Sequence, residues 1–157
     1  MAFLIDGNNV LHCPMPPMLA GLDEQGLCTA IAKTRWCSTG VTVVFDGRPG
    51  SQRPIESPEP LIRLMYAGPV RTADELIIER IEANSAPRRL TVVSTDRQIR
   101  KAARRRRALS WTSERFIQDL VSLIRLGRYR VEQDRKPRSK DLEPDEVQRW
   151  LDQFGLD

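Results

Sequence analysis

Four aspartates in this sequence stand beside short apolar segments, either at the end of one or at the start of the helical pattern that follows: Asp6, Asp46, Asp74 and Asp96. Two like charges about 4 Å apart repel by about 4 kcal/mol at an effective dielectric near 20, so gathered carboxylates need raised pKa values or a bound cation. Carboxylate oxygens without histidine or thiolate partners suit Mg²⁺ or Mn²⁺ better than zinc. The pattern therefore predicts a hard-cation site, provided that the fold gathers these residues.

Each aspartate also has a purely structural alternative. Asp96 could cap a helix, Asp74 could complement a helix dipole, and Asp46 before a glycine could form a turn. Only the combination of all four favours chemistry.

The segments that position these residues alternate in type. Near-continuous apolar runs without polar alternation are typical of parallel strands covered on both faces, and they occur at residues 2–5, 41–45, 61–66, 90–93 and 108–111. Helical patterns lie at residues 24–35, 73–84, directly after Asp96, and 113–126. Thr72 and Glu75 form a potential capping box for the second helix. The alternation predicts an α/β fold, a three-layer α/β/α sandwich around a mainly parallel sheet. Ligands of such sheets bind at the carboxyl ends of the strands.

Two polar stretches interrupt the alternation. Residues 47–60 are rich in proline, glycine and serine and predict a long loop. Residues 136–143 predict a linker to a last helix that begins near Pro144, with an apolar stripe of Val147, Trp150, Leu151 and Phe154. We expect that stripe to dock on the body of the protein.

Composition excludes several classes of protein. The 157 residues are 40% hydrophobic and 29% charged, which is typical of a globular domain, and no apolar run is long enough to span a membrane. The first residues have no basic region and meet Asp6 early, which excludes a signal peptide. Three cysteines without CxxC spacing and a single histidine, His12, argue against structural zinc. We expect a cytoplasmic protein with reduced thiols.

A basic segment follows Asp96. Residues 97–107 contain seven basic side chains and no acidic one, within a chain of net charge +4. Such a block favours a polyanionic partner, nucleic acid above all, over a solvated helix face, which usually carries interspersed acids. Four members share one helical face by their spacing, namely Arg97, Arg100, Lys101 and Arg104. Arg71, just before Asp74, is a further candidate.

Four motifs in order, FLIDGNNVLH, VVFDG, TADELIIERIE and VVSTDRQIR, resemble the YacP-like branch of the NYN domains, relatives of the PIN-domain nucleases. The resemblance covers roughly residues 2–130. It implies a PIN-like sandwich, metal-dependent endoribonuclease activity and, in some relatives, association with ribosomes. The nuclease-like domain would occupy residues 1–134, and residues 135–157 would form the linker and C-terminal amphipathic helix.

The resemblance also implies roles for residues. Asp6, Asp74 and Asp96 would hold Mg²⁺ or Mn²⁺, Asp46 matches a further family acid, and Asn9 would fix the first loop or contact a phosphate. A cation held there would activate water for in-line attack on the RNA backbone, leaving a 5′-phosphate and a 3′-hydroxyl.

Other functions fit less well. Metal-independent cleavage by His12 would lack a second acid/base partner. A haloacid-dehalogenase-type phosphatase needs a second aspartate two residues after the first, where this chain has Asn8. A non-catalytic RNA- or ribosome-binding module and a toxin nuclease remain open.

Overall fold

Five apolar segments form one sheet in this computed structural model, which describes residues 1–48 and 60–135, with side chains through residue 128. The strands are β1 (Ala2–Asp6), β2 (Gly40–Phe45), β3 (Ile62–Tyr66), β4 (Leu90–Val93) and β5 (Leu109–Trp111). The α-helices are α1 (Gly7–His12), α2 (Glu24–Ala32), α3 (Ala73–Ala83), α4 (Arg97–Arg105) and α5 (Ser113–Arg135).

The strand order is β3-β2-β1-β4-β5, and every neighbouring pair is parallel. The chain leaves β1 for β2 and β3 on one side and then returns to β4 on the other side. The strand order thus reverses beside β1, and the carboxyl edge at such a point is where open α/β sheets bind ligands. The predicted α/β fold with a parallel sheet is confirmed.

Helices cover both faces of the sheet. Alternate residues of β1 show this, since Phe3 and Ile5 belong to one apolar core and Leu4 to the other. The first core is completed by residues of α1, α2 and α5, and the second by residues of α3 and α4. Burial on both faces explains why the strands read as continuous apolar runs in the sequence.

Helix α1 is missing from the sequence-based prediction. It is only six residues long and begins directly after β1, with the side chain of Asp6 accepting from the amide of Asn9. Its first residue must be glycine, because a Cβ at Gly7 would lie 2.2 Å from Cε1 of the buried Phe45. A helix this short has no apolar stripe long enough to be recognised.

Helix α2 ends earlier than predicted, at Ala32 instead of residue 35. The cause is Thr34, whose hydroxyl donates to the carbonyl of Ile31 at 2.8 Å and accepts from the amide of Trp36 at 3.2 Å. This local bonding competes with the helix and starts a short 3₁₀ turn instead. The capping box of Thr72 and Glu75 on α3 is confirmed.

The chain divides into two compact units, Met1–Arg125 and Leu126–Asp157. Most of the predicted 47–60 loop, the predicted linker and the last helix with its apolar stripe lie outside the described residues. The predicted boundary at residue 134 therefore stays a prediction. Within the described residues, no helix has the length and apolar character that crossing a membrane requires.

Candidate functional site

The four aspartates come to the carboxyl edge of the sheet from four separate stretches of chain. Asp6 is the last residue of β1, and Asp46 directly follows β2. Asp96 caps α4 just beyond β4, and Asp74 lies in the first turn of α3. Hydrogen bonds link these stretches, since Ser94 joins Asp6 to Asp96, and Asp46 accepts from the amide that precedes Asp74.

Asp6 is the buried member, with only 3% of its surface exposed. Its Oδ1 accepts from the amide of Asn9 at 3.0 Å, and its Oδ2 accepts from the hydroxyl of Ser94 at 2.9 Å. Burial raises the pKa of this carboxyl group, the two hydrogen bonds oppose the rise, and the charges of Asp46 and Asp96 add to it. Asp6 is therefore a carboxylate whose charge is costly unless a cation is near.

Asp74 differs from Asp6 because it is exposed. Within the described part of the chain, its carboxylate has no hydrogen-bond partner. Its pKa is raised. The largest cause is loss of contact with water around part of the carboxyl group, and the charges of Asp6, Asp96 and Asp46 are smaller causes. Both oxygens of Asp74 are thus open to a ligand.

Asp46 and Asp96 each use one oxygen to hold a helix in place. Oδ1 of Asp46 accepts from the amide of Ala73 at 2.7 Å, at the start of α3. Oδ1 of Asp96 accepts from the amides of Gln98 at 2.7 Å and Ile99 at 3.1 Å, at the start of α4. The structural alternative predicted for Asp96, a helix cap, is therefore real. Oδ2 of each residue makes no hydrogen bond to another described residue.

The two asparagines after Gly7 tie neighbouring strand ends to β1. Oδ1 of Asn8 accepts from the amide of Asp46 at 2.8 Å. Oδ1 of Asn9 accepts from the amide of Thr95 at 3.0 Å and from the hydroxyl of Ser113. Asn9 thus joins the start of α1 to the segment after β4 and to the start of α5, and its contact with a phosphate stays a prediction.

Sequence reasoning missed the polar residues that support the aspartates. Ser94 is fully buried, donates to Asp6 and accepts from the amide of Asp96 at 3.0 Å. The hydroxyl of Thr95 donates to Glu114, which lies at the start of α5. The Ser-Thr pair before Asp96 was the available signal, because hydroxyl residues between a strand and an acid can bond to both. Nothing in the local pattern marked Glu114.

Glu114 is an exposed acid beside this network. Hydrogen bonds lower the pKa of its carboxyl group. The bond from its own backbone amide has the largest effect, and the hydroxyls of Thr112 and Thr95 contribute less. The thiol of Cys13 also donates to it, at 3.8 Å. The side chain is therefore held ionised near Thr95, the residue that precedes Asp96.

The basic residues predicted to bind nucleic acid fall into two groups. Arg97, Arg100, Lys101 and Arg104 line one open cavity of about 380 Å³ on α4. Arg71 instead forms an ion pair with Glu79 on the surface of α3. The other predicted candidate for chemistry, His12, is exposed, and its Nδ1 lies 2.6 Å from the carbonyl oxygen of Asn8 in its own helix.

The donor chemistry of this edge fits a hard cation. All four clustered side chains offer carboxylate oxygens. The pKa values of Asp6 and Asp74 are raised, and a nearby cation would lower them again. Across the described residues, no group of three or more histidine, cysteine, aspartate or glutamate side chains is placed so that it could hold a metal ion by itself. Mg²⁺ commonly binds through one or two carboxylates, with water and substrate phosphate completing its shell, and this arrangement offers that many.

A five-stranded parallel sheet between two helical layers, with acids at its carboxyl edge, defines a PIN-like α/β domain. The sequence model of the YacP-like NYN domain matches residues 3–154, so the chain belongs to that family of nuclease-like, RNA-acting domains. The resemblance noted in the motifs is thereby confirmed.

Solved structures agree on the fold. The structure of Rae1 (YacP) from Bacillus subtilis matches with a TM-score of 0.67 at 20% identity, covering 99% of this chain and 94% of that one. A point mutant of the same protein matches with a TM-score of 0.65 at 19% identity, covering 88% of this chain and 86% of that one. A comparison with curated proteins gives no match. Identities this low show a shared fold alone.

Proposed function

We propose that this chain is a metal-dependent endoribonuclease of the cytoplasm that hydrolyses RNA phosphodiester bonds with the help of Mg²⁺ or Mn²⁺. The observation that carries the proposal is the placement of Asp6, Asp46, Asp74 and Asp96 at the carboxyl edge of one parallel sheet. Membership in a family of RNA-acting domains supplies the substrate class. The neighbouring carboxylates contribute to the raised pKa values of Asp6 and Asp74, so the ionised forms oppose folding, and a cation that binds RNA phosphates would offset that cost.

The roles of the acids follow from their surroundings. Asp6, Asp74 and Asp96 would supply carboxylates to the cation, one or two of them at a time. Asp46 adds negative charge nearby, and its Oδ1 holds the start of α3, the helix that carries Asp74. The bound cation would activate water and stabilise charge on the phosphate oxygens. Ser94 donates to Oδ2 of Asp6 and so restrains the orientation of that carboxylate.

RNA is the proposed partner. Arg97, Arg100, Lys101 and Arg104 extend from Asp96 along α4 and would hold backbone phosphates next to the scissile bond. Nδ2 of Asn9 would add a donor, and Arg71, just before α3, would add a second one. Arg71 shares its charge with Glu79, so its contribution would be the smaller one.

The test is cleavage of labelled single-stranded RNA with Mn²⁺ or Mg²⁺, comparing the wild type with Asp74→Asn. Because the carboxylate of Asp74 has no described hydrogen-bond partner, this variant should fold normally and lose activity by more than about 100-fold, beyond the effect typical of outer-shell groups. Asp119→Asn, an equal change at an i,i+4 ion pair on α5, is the matched control and should cut like the wild type. Products should carry a 5′-phosphate and a 3′-hydroxyl. Equal cleavage by both variants would refute the assignment.

A second function is favoured by one observation. Asp96 caps α4 and Asp46 accepts from the first amide of α3, so their presence has a structural reason that needs no catalysis. A non-catalytic RNA- or ribosome-binding module would keep them. If wild type and Asp74→Asn bind RNA equally and neither cuts it with any divalent ion, this second function replaces the first.

A further inference from the structure

A second open cavity lies at the amino end of the sheet, hereafter the amino-edge cavity. It measures about 460 Å³ and is lined by residues near the starts of β1 to β4 and by the C-terminal end of α3. A strand rises about 3.3 Å per residue, so Ala2 at this end of β1 lies about 13 Å from Asp6 at the other end. The cavity is therefore separate from the aspartate cluster. Its volume falls in the range of about 300–1,000 Å³ that small-molecule sites have.

Small residues leave this cavity open. Gly40 pairs with Ala2, which packs against the core that α3 and α4 complete. Paired residues of neighbouring strands share a face of the sheet, so a side chain at residue 40 would point to the same side. A Cβ built on Gly40 meets no heavy atom within 4 Å. A larger residue at this position would therefore project into empty space at the cavity and not into the packed core.

Four polar side chains line the amino-edge cavity. They come from β2, from β3, from α3 and from the turn after α3: Thr42, Arg63, Arg80 and Ser85. In the part of the chain that the structure describes, none of these side chains forms a hydrogen bond or an ion pair. Two guanidinium groups and two hydroxyls from separate segments thus meet at one space with their donors unused.

The acids nearest to Arg80 on its own helix are already paired. Glu79 pairs with Arg71, and Glu82 pairs with Arg105 and Arg106. No acidic side chain is among the described residues that line the amino-edge cavity. The fold therefore leaves the positive charge at this cavity uncompensated.

A structural alternative exists for Arg63 taken alone. β3 is an edge strand of the sheet, and charged side chains on edge strands prevent pairing with other chains. That role does not apply to Arg80, which lies on a helix and reaches the same cavity. The pair is better explained by a shared ligand than by protection of the strand edge.

The chemistry of the lining selects the ligand. Two arginine forks match the oxygens of a phosphate group, and the hydroxyls of Thr42 and Ser85 add hydrogen bonds to it or to a sugar. The last carbonyls of α3 carry partial negative charge and suit amino groups of the ligand. Leu61, which is 52% exposed at the rim, offers an apolar contact for a flat ring. A nucleoside monophosphate contains all of these groups, whereas a sugar phosphate lacks the ring.

We infer that the amino-edge cavity is a binding site for a free nucleoside monophosphate, with its phosphate between Arg63 and Arg80. The inference goes beyond the proposed function and does not depend on it, because none of the residues that form the cavity belongs to the aspartate cluster or to the basic face of α4. Binding here needs no metal ion and no cleavage.

The first experiment titrates the full chain in EDTA with the four nucleoside 5′-monophosphates of RNA by isothermal titration calorimetry. At least one of the four should bind with a Kd below about 1 mM, and at least about tenfold more tightly than its nucleoside or than inorganic phosphate alone. If none of the four binds, or if inorganic phosphate binds as tightly as the best nucleotide, the inference is wrong.

Two variants locate the binding. Arg63→Gln/Arg80→Gln removes the proposed phosphate contacts from two exposed side chains, and the Kd should rise by at least about tenfold, the effect of one lost charge-assisted hydrogen bond. Gly40→Leu keeps both arginines and fills the cavity, so it should weaken binding by a similar factor. Circular dichroism and thermal unfolding without nucleotide confirm that each variant is folded. A folded Gly40→Leu variant with unchanged affinity would place the nucleotide elsewhere and refute the site.

The matched control for charge is Arg88→Gln/Arg89→Gln. These two arginines are exposed just before β4, at the same edge of the sheet, but they do not line the cavity. At physiological salt the Debye length is about 8 Å, so their loss should change the Kd by no more than about twofold. Equal weakening by both double variants would show attraction by local charge alone and would overturn the inference.

A last titration separates a free nucleotide from the end of an RNA chain, which carries the same phosphate chemistry. A short RNA with a 5′-phosphate and the same RNA with a 5′-hydroxyl are titrated into the wild type and into Arg63→Gln/Arg80→Gln. For a free-nucleotide site, the double substitution should weaken binding of the mononucleotide and leave the two RNAs indistinguishable from each other. If the 5′-phosphorylated RNA binds at least about tenfold more tightly than the mononucleotide and loses this advantage in the variant, the occupant is an RNA end and the inference is overturned.

Discussion

The hydroxyl of Ser94, two residues before Asp96, donates to Oδ2 of the buried Asp6 on the neighbouring strand at 2.9 Å. The hydroxyl oxygen of Ser94 also accepts from the amide of Asp96 at 3.0 Å. One small side chain thus links two of the acids that come from distant parts of the chain. The carboxyl edge is therefore organised by uncharged groups as well as by the aspartates themselves.

Replacing Ser94 with alanine should damage both stability and activity. Asp6 would lose a hydrogen bond in a buried position, which costs about 1–3 kcal/mol in the free energy of unfolding. Because the Ser94 hydrogen bond lowers the pKa of Asp6, its loss should raise that pKa further. Denaturant unfolding and the pH dependence of kcat measure the two effects. The acid limb of the rate profile should move to higher pH.

Ser110→Ala on the adjacent strand β5 is the control for this prediction. The Oγ of Ser110 is buried and has no hydrogen-bond partner among the described residues, so its removal should change stability by less than about 0.5 kcal/mol. If Ser94→Ala is no more harmful than Ser110→Ala, the link between Asp6 and Asp96 does not organise the edge.

The sequence predicted the sheet well because the strands are buried on both faces. Phe3, Leu4 and Ile5 are all apolar, since alternate residues enter different cores, and such runs are visible without any structure. The positions of the aspartates followed from the same reasoning, because parallel strands place their carboxyl ends together. The four family motifs, each of which contains one of these aspartates, supported the same grouping.

The supporting contacts could not be predicted in the same way. Asn9 binds Thr95 and Ser113 across 86 and 104 residues of sequence, and no local pattern encodes such pairs. The ion pairs that occupy Arg105 and Arg106 with Glu82 are also long-range, so the sequence could show a basic helix but not which charges remain free. The short helix α1 was not predicted for a related reason, because its position depends on the close packing of Gly7 against Phe45, which is distant in sequence.

Gly7→Ala tests that fit. In most helices alanine is more favourable than glycine by about 0.5–1 kcal/mol, so an unobstructed site would be stabilised. Here the new methyl group would meet the ring of Phe45, which is fully buried, and overpacking of this kind costs about 1–3 kcal/mol. The net result should be destabilisation of about 1–2 kcal/mol by denaturant unfolding, from the difference of those two effects. Gly40→Ala, where no atom lies within 4 Å of the added Cβ, should be nearly neutral. Equal stability of the two variants would contradict the close approach of α1 to β2.

The raised pKa values predict how the metal-free protein responds to pH. A carboxyl group whose folded pKa lies above its unfolded value binds its proton more tightly in the folded state. Asp6 and Asp74 both have pKa values above the ordinary 3.8, so their contribution to stability is complete below that pH and is lost as pH rises through the folded values.

Asp74→Asn isolates one of these contributions. In EDTA, the variant should gain stability relative to the wild type as pH rises above 3.8, by less than about 1 kcal/mol because Asp74 is exposed. Thermal unfolding of both proteins between pH 4 and pH 8 measures the difference in stability. Glu114, whose pKa is lowered, contributes to stability with the opposite pH dependence, but it does so equally in both proteins and drops out of the difference. A wild type that gains stability over the variant with rising pH would contradict the acidic cluster.

Divalent ions should reverse that penalty, because a ligand that binds only the folded state stabilises it. At a concentration of Mn²⁺ one hundred times its Kd, the gain should be about 2.7 kcal/mol. Thermal unfolding at pH 7 should therefore show a higher Tm for the wild type with Mn²⁺ than in EDTA. Asp119→Asn should keep this increment, since its exposed carboxylate pairs with Arg115 on α5. Asp74→Asn should lose most of the increment, because a neutral amide replaces one of the few carboxylates that can bind the ion. Among the described residues, no group of three ligands is present to compensate for that loss. If Asp74→Asn retains the full increment, the ion binds elsewhere and the aspartate cluster is not its site.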